Sequence, residues 1–108
     1  MRFKDKVVMV TGAARGLGLG MCELFAREGA HLVMSDVLDK ELKESVSKLA
    51  ASAPGRIVGA RCDVSDETDV ERLMAIAKTA FGQVHVLVNN AGISPKNNGR
   101  KFMLEEMS

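Results

Sequence analysis

Gly12, Gly16 and Gly18 stand in the spacing Gly-x-x-x-Gly-x-Gly, directly after the apolar run Val7 to Val10 and Thr11. From Leu17 the apolar residues switch to helical spacing. A buried strand, a tight glycine turn and a helix start aim backbone N–H groups and the positive end of a helix dipole at one point, where a diphosphate fits. The spacing differs from the commoner Gly-x-Gly-x-x-Gly, but the mechanics are shared. Gly12 takes the turn's φ angle, Gly16 lets a phosphate approach the backbone, and Gly18 lets the helix pack close to the strand. Asp36 lies 24 residues beyond Gly12. A carboxylate after a second strand accepts hydrogen bonds from a ribose 2′-hydroxyl and repels a 2′-phosphate. Two more polar groups punctuate the chain, Asp63-Val64 and Asn89-Asn90-Ala91-Gly92.

The elements that must hold these groups follow from periodicity. Residues 6–11 read as a strand whose unbroken apolar run suits burial on both faces of a parallel sheet. The first helix is expected to bury Leu17, Met21, Leu24 and Phe25, and to stop at Gly29. Residues 31–35 make a second strand ending at Asp36. Residues 39–51 make a helix with Asp39 as its N-cap, Leu42, Val46 and Leu49 on its apolar side, and Pro54-Gly55 beyond it. Residues 56–62 are a weaker strand, interrupted by Gly59. Ser65 or Asp66 caps a third helix with an acidic first turn, an apolar stripe of Val70, Leu73, Met74, Ala77 and Phe81, and a stop at Gly82. Residues 84–88 form the fourth strand and residues 93–101 a loop. Residues 102–108 are either the start of a helix or a tail.

Strands alternating with helices predict an α/β protein with a parallel sheet. Right-handed crossovers allow the order 3-2-1-4, a doubly wound, Rossmann-type arrangement of four strands within a larger sheet. The glycine turn, Asp36, Asp63-Val64 and Asn89 to Gly92 then share the carboxyl rim, where open α/β sheets bind ligands.

With 108 residues the chain holds one domain at most. A net charge of +1 without a basic stripe argues against nucleic acid. No apolar run reaches the ~18 residues of a membrane span, and the N-terminal apolar stretch breaks too early for a signal peptide. Cys22 and Cys62 lack metal-ligand spacing and read as free thiols in a reducing cytoplasm. No metal site is expected. His85 within a strand reads as a structural, partly buried histidine, His31 falls on the opposite rim from the ligand, and the basic Lys96, Arg100 and Lys101 read as loop residues.

These motifs resemble the short-chain dehydrogenase/reductase family. Thr11 to Gly18 is similar to its TGxxxGxG cofactor motif, Asp63-Val64 to its adenine-contacting acidic position, and Asn89-Asn90-Ala91-Gly92 to its NNAG motif. The resemblance covers essentially the whole chain. It implies that Gly12, Ala14, Arg15, Gly16, Leu17 and Gly18 hold the pyrophosphate, with the Leu17 N–H as a phosphate donor. Asp63 is implied to bond the adenine amino group with the Val64 backbone beside it. Asn90, Ala91 and Gly92 are implied to line the adenosine ribose, and Asn89 to satisfy backbone groups at the strand end.

Asp36 favours NAD, with NADP the less favoured alternative because Arg15 precedes the second motif glycine. The resemblance further implies hydride transfer between nicotinamide and a small carbonyl or alcohol substrate, in a homo-oligomer (dimer or tetramer). The family's catalytic Ser, Tyr-x-x-x-Lys and helix Asn have no match here. The chain contains no tyrosine, and those positions are expected beyond Ser108, which makes residues 1–108 the N-terminal cofactor-binding part. A dinucleotide-binding module without catalysis, and an unrelated α/β binder of nucleoside sugars, are the competing readings.

Overall fold

The computed structural model describes residues 2–93. Four strands, β1 (Val7–Thr11), β2 (His31–Asp36), β3 (Ile57–Arg61) and β4 (Val86–Asn89), alternate with three helices, α1 (Gly16–Arg27), α2 (Asp39–Ala50) and α3 (Glu67–Phe81). All strand pairs are parallel, in the order β3-β2-β1-β4. The sheet order expected from the alternation is thus the one observed. Lys96, Arg100 and Lys101, and the helix or tail over residues 102–108, lie outside the described residues.

β1 is buried at every position because both its edges are paired and both its faces are covered. Its side chains alternate. Val8 and Val10 join the core shared with α1 and α2, while Val7 and Met9 join the core under α3. Met9, Leu32, Met34 and Leu42 are fully buried, and each contributes about 1.5–3 kcal/mol by leaving water. No helix among the described residues is long and apolar enough to cross a membrane.

The structure corrects the sequence reading at several places. In α1 the buried residues are Gly18, Cys22 and Ala26. Leu17 and Leu24 are 69% and 52% exposed, and only Met21 and Phe25 of the expected stripe pack against the core. The period was right but its phase was not, because the helix approaches the sheet through small residues that carry little hydropathy signal. In α3, Met74 is 41% exposed, while Val70, Leu73, Ala77 and Phe81 do pack inward. Asp39 is the first residue of α2 rather than its cap, and the Leu38 at the cap position makes no side-chain bond. β3 runs through Gly59 because Val46 of α2 fills the place where a Cβ would stand, its Cγ2 only 2.7 Å away. β4 begins at Val86, and His85 before it bonds to Val7.

Asp66 caps α3 as expected, accepting from the Thr68 and Asp69 N–H groups. Gly29 and Gly82 end α1 and α3 at φ 90° and 85°. On the amino rim both histidines serve the sheet. The Nδ1 of His85 accepts from the Val7 N–H, and that of His31 accepts from the Arg56 N–H, each at 2.9 Å. His31 also stacks on Phe81. Burial pushes the Cys22 thiol up to about 12, and raises that of Cys62 as well, with help from the nearby Asp69 and Asp63 carboxylates. Both thiols stay protonated at neutral pH.

Candidate dinucleotide-binding rim

The chain runs outward from β1 to β2 and β3 and then returns past β1 to β4, so the crevice between the carboxyl ends of β1 and β4 is the sheet's switch point. The glycine loop leaves β1 there and is tied down on every inner side. The Gly12 carbonyl accepts from Asn90 Nδ2 at 3.1 Å. The Ala13 N–H donates to the Ser35 carbonyl at 2.9 Å. The Ala14 N–H donates to Asp36 Oδ2 at 2.9 Å, and the Ala14 carbonyl accepts from Ser45 Oγ at 2.7 Å.

Gly12 has φ +64° and Gly16 φ +62°, a backbone region that L side chains rarely adopt. A Cβ at Gly12 would crowd Asn90 Nδ2 at 2.9 Å and the Ala91 N at 3.0 Å, whereas one at Gly16 would meet nothing within 4 Å. Gly16 therefore faces open space while Gly12 and Gly18 face protein. Gly12 thus combines the positive φ of the turn with close contact, Gly18 is pressed against the Gly12 backbone, and Gly16 alone of the three has room beside it.

Beyond the loop, α1 starts without a capping side chain and without an acidic residue in its first turn. The N–H groups of Gly16, Leu17 and Gly18 meet no protein acceptor among the described residues. Four amides at a helix start have no intrahelical partner, and the dipole adds a positive field. Arg15 stands exposed in extended conformation just before this helix. In α2 and α3 acidic residues occupy the corresponding first turn. The start of α1 is thus a set of backbone donors with no acidic side chain in its first turn, an arrangement that suits an anion.

Asp36 sits at the end of β2, and Oδ1 also accepts from the Leu38 N–H, at 3.1 Å. Two backbone donors thus fix the carboxylate, while each oxygen keeps a further lone pair. Across the rim the Cys62 N–H donates to the Asp36 carbonyl at 3.1 Å, so the end of β3 is fastened to the end of β2. Asp63 follows at once, with Val64 half-buried against the α3-side core. Its Oδ1 accepts from the Ser65 N–H at 2.9 Å and from Ser65 Oγ at 2.6 Å. Those bonds from Ser65 hold the Asp63 carboxyl below the usual carboxylate range, so at neutral pH it is an acceptor only. Asp63 Oδ2 meets no protein donor among the described residues.

After β4 a 3-10 turn, Asn90–Ile93, closes the crevice. Thr11 Oγ1 donates to Asn89 Oδ1 at 2.7 Å and accepts from the Ala91 N–H at 3.2 Å. Asn89 thus bonds a hydroxyl rather than the backbone groups expected. Asn90 spends its side chain on the Gly12 carbonyl, and Gly92 lies in the turn beside it. Ser45 was not singled out from sequence, and Thr11 and Asp69 figured there only as the start of the glycine motif and as part of an acidic first turn. Ser45 was legible as a polar residue between the core-facing Leu42 and Leu49, and Asp69 as a first-turn acid three residues after the Asp66 cap. Among the described residues no group of three or more His, Cys, Asp or Glu is placed to hold a metal ion.

Among the described residues one buried side-chain polar atom has no hydrogen-bond partner, the hydroxyl of Ser35. A buried unpaired hydroxyl costs stability. Ser35→Ala is therefore expected to raise the unfolding free energy by about 1 kcal/mol in urea titrations. A loss of similar size would contradict the absence of a partner.

The family model described as short chain dehydrogenase matches residues 6–108. The chain is 44% identical over 94 residues to meso-2,3-butanediol dehydrogenase from Serratia marcescens, covering 86% of this chain and 36% of that protein. Among solved structures, a short chain dehydrogenase/reductase from Burkholderia phymatum in complex with NAD superposes with a TM-score of 0.75 at 39% identity, over 82% of this chain and 31% of that one. L-sorbose reductase from Gluconobacter frateurii, complexed with NADPH and L-sorbose, superposes with a TM-score of 0.81 at 34% identity, over 85% and 35%. The chain thus spans about a third of the length of the relatives it matches.

Proposed function

This chain belongs to the short chain dehydrogenase family, and from that premise we propose that it binds the adenosine diphosphate half of a nicotinamide dinucleotide, NAD in preference to NADP. The protein it serves moves hydride between that cofactor and a carbonyl or alcohol carbon. The observation that carries the reading is the meeting, on one rim, of the unpaired N–H groups at the start of α1 and the fixed carboxylate of Asp36.

Each residue then has a task. The N–H groups of Gly16, Leu17 and Gly18 bind the pyrophosphate, and Gly16 leaves room for it. Ala14 shapes the loop through its two backbone bonds, and Arg15 flanks the phosphates. Asp36 accepts from the adenosine ribose and repels a 2′-phosphate, which supports NAD. Asp63 accepts from the adenine amino group through Oδ2, beside the Val64 backbone. Asn90, Ala91 and Gly92 border the ribose, with Asn90 holding the loop in place. When bound, the nicotinamide supplies the hydride chemistry, and the protein supplies position and electrostatics.

A diol dehydrogenase and a sugar reductase among the relatives support a carbonyl or alcohol substrate. These 108 residues contain no tyrosine, so the family's Tyr-x-x-x-Lys group is not among them. On their own they are expected to bind cofactor without turnover. A cytoplasmic setting accords with the two free, buried thiols, and assembly as a homo-oligomer is what the family resemblance implies.

Calorimetric titration with NAD and with NADP tests the proposal. Binding of NAD about tenfold tighter or more is expected, given the strength of hydrogen bonds to a carboxylate. No binding of either dinucleotide, or equal affinity for both, overturns it.

A further inference from the structure

Asp69 lies in the first turn of α3, and its side chain is only 12% exposed. It does not reach the rim itself. Its Oδ2 accepts from the Asp63 N–H at 3.0 Å. The same oxygen stands 3.5 Å from the Arg61 guanidinium, and Oδ1 accepts from the Arg72 guanidinium at 3.0 Å. Two cations thus compensate a carboxylate that is nearly out of water, and one backbone donor directs it.

That donor belongs to Asp63, the residue proposed to meet the adenine. Apart from Oδ2, the other polar groups of Asp63 are held as well. Its carbonyl accepts from the Asp66 N–H at 2.9 Å, and Ser65 takes Oδ1. The preceding N–H, of Cys62, goes to β2. Consecutive amides therefore point in opposite directions, one to the sheet and one to α3, and that reversal turns the chain at the end of β3. Without an acceptor at position 69 the Asp63 amide loses its partner, and the turn that aims Oδ2 has no anchor on the helix.

We infer that Asp69 is a positioning residue for base recognition, setting the direction of the Asp63 carboxylate toward the exocyclic amino group of the adenine. The inference rests on the proposal that Asp63 reads the adenine. The consequence is selectivity at the base rather than general affinity. The proposed pyrophosphate and ribose contacts lie on α1, at the end of β2 and in the turn after β4, and Asp69 bonds to none of these.

The test compares NAD with nicotinamide hypoxanthine dinucleotide, whose base carries an oxygen in place of the amino group, by calorimetric titration of the full chain. The unsubstituted chain is expected to favour NAD about tenfold or more. Asp69→Ala is expected to bring that ratio close to one, while binding of both dinucleotides persists. Asp69→Asn, which keeps an acceptor for the Asp63 N–H, is expected to retain most of the ratio, and Arg72→Ala to leave it unchanged. A wild-type ratio in Asp69→Ala overturns the positioning role, because a purely structural residue would alter stability without altering base preference.

Should Asp69→Ala not fold, hydrogen exchange in the unsubstituted chain decides. The Asp63 amide is expected to be protected, and fast exchange overturns the inference. Absence of any NAD preference in the unsubstituted chain removes instead the reading of Asp63 on which the inference rests.

Discussion

Gly18→Ala is expected to destabilise the chain by about 3 kcal/mol, at the upper end of what overpacking costs, and to abolish dinucleotide binding. The added methyl would run into the Gly12 carbonyl oxygen and stand 2.8 Å from Asn90 Nδ2. Those two atoms are themselves hydrogen-bonded, so relief at one is strain at the other. Neither is the loose end of a flexible side chain. The helix must lift away from β1, carrying the Leu17 and Gly16 amides with it.

Gly20 supplies the contrast within the same helix. A Cβ there meets nothing within 4 Å, so Gly20→Ala is expected to gain the ordinary helix preference of alanine over glycine, about 0.5–1 kcal/mol. Urea unfolding of the two variants checks the argument. Equal effects at positions 18 and 20 would mean that α1 does not approach β1 as closely as described.

The second large effect lies at Asp36. Replacing it by alanine removes the acceptor of two backbone N–H groups, which costs about 1–3 kcal/mol of stability for each donor left without compensation by water. It also removes the proposed ribose acceptor. A hydrogen bond to a charged group contributes about 1.5–3 kcal/mol, so NAD is expected to bind about 10- to 100-fold more weakly. Asp36→Asn separates charge from geometry, because its amide oxygen still accepts from one backbone N–H while the repulsion toward a 2′-phosphate disappears. In that variant the preference for NAD over NADP is expected to shrink or invert, with Arg15 nearby as a cation. Titration with both dinucleotides checks this, and an unchanged ratio in Asp36→Asn would remove Asp36 from the choice of cofactor.

The legibility of the site varied residue by residue. The three glycines were readable because backbone demands allow no other residue, so their spacing announced the turn. Asp36 and Asp63 were readable because each is the first acidic residue after a strand. The roles of Asn89 and Asn90 were only half visible. Both were placed at the strand end, but which one meets Thr11 and which one meets the Gly12 carbonyl depends on the alternation of β4 against β1. Ser45 and Asp69 act from helices whose docking angle brings them beneath the rim, so their helical positions were legible but their partners were not.

The sequence alone determined the alternation of strands and helices and their stops at Gly29 and Gly82, and it allowed the parallel order β3-β2-β1-β4 that the structure takes. These follow from hydrophobic period, chain connectivity and the handedness of crossovers, which are local or topological properties. The tertiary structure decided which face of α1 is inside, burying Gly18, Cys22 and Ala26 in place of Leu17 and Leu24. It also decided which donors remain without acceptors. Both depend on distances between segments far apart in the chain. A helix held against the sheet by glycine and alanine buries less apolar area per residue than a leucine stripe, but it brings the amides of Gly16, Leu17 and Gly18 to the carboxyl rim of β1.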